Sequence, residues 1–124
     1  MPELPEVETI KRDLQNNLLG KRIVRVCVYN PMVVRQPSLA VFQRSLVGLT
    51  IKDVLRRGKL LILELSNGSA LTIHLKMTGQ LVLRQESSNL SGSKKSRVAF
   101  HLSGGKVLDF NDQRLFGELR LVDR

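Results

Sequence analysis

The chain opens MPELPEVETI, and its possible chemistry begins at the second residue. Removal of Met1 leaves Pro2 as the chain terminus, a secondary amine. An α-amino group has a reference pKa of about 8, about two units below lysine, so a useful fraction is neutral and nucleophilic at physiological pH. Attack of such an amine on a sugar aldehyde carbon forms an iminium, the covalent strategy of Schiff-base enzymes. A secondary amine gives the cationic iminium directly, which is an electron sink. Glu3 is adjacent and Glu6 lies one helical turn further on, so two carboxylates stand ready as proton carriers. The same glutamates have a plainer account: acidic residues in a first turn complement the helix dipole at about 0.3–1 kcal/mol each. With Met1 retained, the proline nitrogen is an amide and the nucleophile is blocked.

Three further clusters carry candidate chemistry. Arg56, Arg57 and Lys59 surround Gly58 in RRGK, which reads either as a solvated turn or as a phosphate clamp with Lys59 toward a bound nucleotide. HLKMTG (74–79) places His74 and Met77 at a strand end, where a lone histidine is usually structural and a lone methionine usually core. NDQRLFG (111–117) sets Arg114 and Phe116 two residues apart, so both point the same way at a strand tip. Phe116 fits a core, but an apolar wedge beside an arginine is also what DNA-kinking proteins insert between base steps.

The elements that must position these residues follow from periodicity. Val7, Ile10, Leu14 and Leu18 fall on one face of a helix over Leu4–Leu18, with Pro5 in its first turn and Gly20 as its stop. Glu8 and Arg12 can pair across one turn. Val24, Val26 and Val28 alternate with Arg25 and Cys27, a strand pattern that makes Cys27 a small core residue. A short helix follows Ser38, with Leu39, Phe42 and Leu46 on one face and Gly48 at its end. Short strands then dominate: 50–57, LLILEL (60–65) placed centrally, ALTIHL, QLVLR, VAFHL, KVLDF and GELRLV, with Asn67-Gly68 and Ser103-Gly104-Gly105 as tight hairpins. QESSNLSGSKKS (85–96) is polar and pattern-free and reads as a flexible connector. Short strands joined by tight turns predict an antiparallel sandwich.

Composition limits the partner. The 124 residues suit one domain, and 20 Lys+Arg against 11 Asp+Glu give a net charge of +9. A pI near 10.5 is the footprint of a nucleic-acid binder, with anionic membranes and acidic proteins as rivals. One cysteine excludes an internal disulfide and a four-cysteine zinc site. No signal peptide is evident, and no apolar run approaches the roughly 20 residues of a spanning helix, so the expectation is a reduced, cytoplasmic protein without membrane contact.

Taken in order and spacing, MPELPEVET, RRGK, HLKMTG and DQRLFG resemble the N-terminal domain of formamidopyrimidine-DNA glycosylase, a bacterial-type repair glycosylase and abasic-site lyase family. The resemblance covers essentially the whole chain and is closer to this branch than to the related endonuclease-eight branch. It implies a mainly β fold, an antiparallel β-sandwich flanked by two helices, in a single domain over 1–124. It implies removal of oxidised purines (8-oxoguanine and formamidopyrimidines) and β,δ-elimination at abasic sites, with double-stranded damaged DNA as partner and a monomer when full length. Pro2 would be the nucleophile, Glu3 would move protons and Glu6 would support the site. Lys59, with Arg56 and Arg57 in its cluster, would contact phosphate. Met77, Arg114 and Phe116 would fill the gap left by a flipped base, and His74 would lie close to the backbone-binding surface. Two departures stand out. Leu115 replaces a basic residue common in relatives. The family's helix–two-turn–helix domain and zinc finger are absent from the chain, so no cofactor is expected here and zinc belongs to that missing finger. Two rival readings are a non-catalytic nucleic-acid-binding module and an interaction domain whose charge is incidental.

Overall fold

A computed structural model describes residues 3–86 and 96–123; Met1, Pro2 and most of the polar connector lie outside the described residues. The elements run α1 (Leu4–Leu18), β1 (Ile23–Val28), a 3-10 turn (Pro31–Val33), β2 (Val34–Gln36), α2 (Leu39–Leu46), β3 (Ile51–Arg57), β4 (Leu60–Leu65), β5 (Ala70–His74), β6 (Gly79–Gln85), β7 (Ser96–Leu102), β8 (Lys106–Asp112) and β9 (Glu118–Val122). Two sheets form, a four-stranded one in the order β1-β7-β8-β6 and a five-stranded one in the order β2-β9-β5-β4-β3. The two-helix β-sandwich is therefore the observed architecture. LLILEL, read as central, is interior to its sheet between β3 and β5.

Four details differ from the sequence reading. The β2–β9 pair is parallel within an otherwise antiparallel set. It joins segments far apart in the chain, a pairing with no local signature. In β1, Ile23 and Val26 are buried while Val24 is exposed. A register shift between Ile23 and Arg25 turns the side chains over, as a bulge does. Cys27, on the half-covered face, is only half-buried. The polar connector is also shorter than 85–96, because Gln85 pairs with Lys106 and Ser96 with Asn111.

The core is aliphatic, with a tilted aromatic pair at its centre: Phe42 of α2 and Phe100 of β7, ring centroids 6.5 Å apart. Val7, Leu14 and Leu18 bury one stripe of α1, which packs on β3. Ile10 of the same stripe is half-buried because it borders a cleft between α1 and β6, facing Leu81 and Leu83. The helix α2 rests on β1 and β2. Phe42→Ala should lower unfolding free energy by about 3–5 kcal/mol, whereas Leu39→Ala, at the exposed start of α2, should change it by about 0.5 kcal/mol or less; urea titration of both variants checks this.

Candidate nucleic-acid interface

The first turn of α1 is held from outside the helix. Glu3 is its N-cap residue, in extended conformation, and makes no side-chain cap bond. Glu8 instead collects three cations: Arg56 Nε donates to its Oε1 at 2.8 Å, while Lys11 Nζ and Arg12 Nε approach Oε2 at 3.0 Å. The Arg56 bond first, then the Lys11 bond, holds the Glu8 carboxyl down at about 2. Arg56 also donates through Nη1 to the Gly58 carbonyl at 3.0 Å, so one guanidinium ties α1 to the β3–β4 turn. That structural task was invisible in the sequence, where Arg56 looked equivalent to Arg57.

Glu3 and Glu6 are both exposed at this end of the helix. Glu6 borders a cleft of about 580 Å³ together with Met77, Thr78, Gly79 and Gln80 from the turn into β6. A smaller cleft of about 280 Å³ continues past Met77 and Gln80 to Asn111, Asp112 and Gln113. The Glu6 carboxylate and the Met77 side chain thus face common space, although they are 71 positions apart in the sequence (77 − 6).

Gly58, at φ +59°, makes the reversal between Arg57 and Lys59 that a side chain would strain. Strand register then sets Leu60 against His74, which brings the Lys59 turn beside the histidine. Among the described residues, Lys59 forms no ion pair, and Arg57 is exposed. His74 Nδ1 accepts a hydrogen bond from the Lys76 amide at 3.1 Å. Burial, then the charges of Lys76 and Lys59, lowers its pKa and favours the neutral ring. Met77 is 61% exposed and Phe116 is 47% exposed, and Arg114 is exposed as well. Neither Met77 nor Phe116 is therefore a core residue. Pro2 lies outside the described residues. Among the described residues, no group of three or more His, Cys, Asp or Glu could hold a metal ion.

Comparison with known proteins settles the family. The model of the formamidopyrimidine-DNA glycosylase N-terminal domain matches residues 1–119. The chain belongs to that family. The glycosylase of Desulforamulus reducens is 46% identical over 123 residues, covering 98% of this chain and 44% of that protein. That of Moorella thermoacetica is 46% identical over 122 residues, again 98% and 44%. Among solved structures, Lactococcus lactis Fpg in complex with abasic-site DNA superposes with a TM-score of 0.90 at 30% identity, covering 98% of this chain and 44% of that one. The same protein with Fapy-dG-containing DNA gives a TM-score of 0.90 at 31% identity, covering 97% and 44%. The chain thus spans less than half the length of these relatives.

In this glycosylase-family domain, sequence reasoning missed Glu8 as a hub and missed Thr78 and Asp112 altogether. Asp112 is buried at the end of β8 and accepts hydrogen bonds from the Thr78 hydroxyl and from the amides of Arg114 and Gly117. A signal existed: a carboxylate closing an apolar strand must be hydrogen-bonded if it is buried. The Glu8 cluster gives a prediction with a definite sign. Its folded pKa of about 2 lies below the ordinary 4.5, so its contribution to stability is complete above pH 4.5 and is lost as pH falls toward 2. Glu8→Gln should flatten the fall in melting temperature across that window, as thermal scans at stepped pH will measure.

Proposed function

We propose that this domain supplies the nucleophile and the base-replacing wedge of a DNA glycosylase and abasic-site lyase acting on oxidised purines in duplex DNA. The observation that carries the reading is the shared cleft. Glu6, a few residues beyond Pro2, faces the same space as Met77, and the loop bearing Arg114 and Phe116 is bonded to the Met77 turn through Asp112 and Thr78. Family membership and DNA-bound structural relatives support it, two of them with an abasic site and a Fapy-dG lesion.

In this reading, the base is extruded from the duplex at a cost of a few kcal/mol. The exposed Met77, Arg114 and Phe116 fill the vacated space and offset part of that cost. The unprotonated Pro2 nitrogen attacks C1′ while the bond from C1′ to the damaged base breaks, its electron pair leaving with the base. Glu3 transfers protons as the sugar ring opens to the iminium. The iminium then draws electrons during β- and δ-elimination, which expel the 3′ and 5′ phosphates. Glu6 orders the nucleotide within the cleft. Lys59 and Arg57 meet phosphate, and the neutral His74 ring lies beside them. The chain's net charge of +9 favours a polyanionic partner. The reaction requires that Met1 be removed, since an amide nitrogen does not attack.

Borohydride reduces an iminium to a permanent crosslink, so it should trap the protein on abasic DNA when mass spectrometry shows Met1 absent. One extra residue before Pro2 should abolish trapping with no change in melting temperature. Undiminished trapping by that variant removes Pro2 from the reaction. Separately, Lys59→Ala should weaken binding alike on different sequences and reduce the log–log salt slope by about one. An unchanged slope returns Lys59 to a solvated turn.

A further inference from the structure

We propose that Asp112 is a positioning residue that sets both wedge-bearing loops with one buried carboxylate; the proposal rests on the wedge reading above. Its Oδ1 accepts from the Thr78 hydroxyl and from the Arg114 amide, the latter at 3.2 Å. Its Oδ2 accepts from the Gly117 amide at 2.6 Å. The side chain thus spans from the turn holding Met77 to both ends of the loop holding Arg114 and Phe116. Asp112 is 1% exposed, and among the described residues no cation pairs with its carboxylate. A buried charge of this kind persists only where its hydrogen bonds are met in full.

Backbone conformation points to the same group. Among the described residues, two non-glycine residues have positive φ: Lys76 at +56° and Leu115 at +62°. Lys76 directly precedes Met77, and Leu115 sits between Arg114 and Phe116. Residues of this kind stay in the left-handed region only when their surroundings over-determine it. Leu115 is pinned from one side by packing on the core, and the amides before and after it are pinned by Asp112. Gly117 completes the arrangement. A Cβ there would lie 2.3 Å from Phe110 Cζ and 2.9 Å from Asp112 Oδ2, so only glycine brings its amide onto the carboxylate. The β6–β8 ladder sets the two strained turns side by side at Gly79 and Asp112, and the carboxylate adds the side-chain tie that fixes them as one platform for three exposed side chains.

The test uses duplex DNA with 2-aminopurine beside a tetrahydrofuran abasic analogue, protein in excess at low salt, and anisotropy to confirm equal occupancy. Fluorescence reports how far the wedge enters the stack. Asp112→Asn loses at least one acceptor and Thr78→Val loses the link between turns; each should lower the insertion constant roughly tenfold, in keeping with loss of a hydrogen bond to a charged group. Phe116→Ala should lower the response more than either of these, leaving a measurable remainder from Met77 and Arg114. The Asp112→Asn, Phe116→Ala double variant should then lose less than the sum of the two single losses, because Asp112 has no Phe116 left to position. Additive losses in the double variant would mark Asp112 as merely structural and overturn the proposal. So would a wild-type response in either Asp112→Asn or Thr78→Val, and Thr78→Val decides the matter if Asp112→Asn does not fold. A wild-type response in Phe116→Ala would instead overturn the wedge reading, and the proposal with it.

Discussion

The candidate site depends on where the start of α1 is held, and that rests on the bond between Glu8 and Arg56. Hydrophobic burial of Val7, Leu14 and Leu18 attaches the helix to β3, but such burial is non-directional and tolerates small rotation and sliding. Hydrogen bonds are directional and weaken steeply off axis. The Arg56 guanidinium holds the helix at Glu8, and Gln15 Nε2 donates to the Val54 carbonyl at 2.7 Å about two turns further on. Two directional contacts on one strand define the helix's rotation. With that rotation set, Glu6 faces the cleft while Val7 beside it is buried. Arg56 reaches the Gly58 carbonyl as well, so the turn carrying Lys59 is registered to the same frame.

This arrangement divides the basic residues by task. Lys11, Arg12 and Arg56 are drawn to one carboxylate, and Arg84 is bound to buried Asp109 at 2.5 Å. These cations hold the protein together. Arg57, Lys59 and Arg114 form no ion pair among the described residues, and Arg57 and Arg114 are exposed. Net charge alone cannot distinguish the two groups; ion-pair geometry does. Neutral His74 fits the same logic, since burial among Lys59 and Lys76 disfavours a third positive charge there.

How far the sequence was legible depended on whether a feature was local. The α1 stripe, the Asn67-Gly68 hairpin and the short strands all announce themselves within a dozen residues, and all are present. The parallel β2–β9 pair was not legible, because it joins residues about 85 apart and parallel pairing leaves no turn signature. In β1, strict alternation pointed to Val24 as buried, and a bulge that no single residue marks moved that position into solvent. The candidate site divides in the same way. RRGK, HLKMTG and DQRLFG were visible as clusters, yet whether Phe116 was core or surface depended on exposure, a tertiary property. Arg56's partner lies 48 positions away and Thr78's lies 34 away, so neither bond could be inferred from spacing.

Stiffness explains why the exposed side chains sit on strained turns rather than on ordinary loops. Ordering a rotamer-rich side chain on binding costs about 0.5–1.5 kcal/mol, so three exposed side chains on loose loops would pay that cost three times over. A loop that is already rigid has paid the backbone part of that cost during folding, where the core supplies it. Leu115 shows how the chain does this: it is an apolar anchor, packed on the core between the two side chains it presents. Its packing fixes the direction of Arg114 and Phe116. The direction in which Arg114 and Phe116 are held comes from that packing and from the buried carboxylate beneath them.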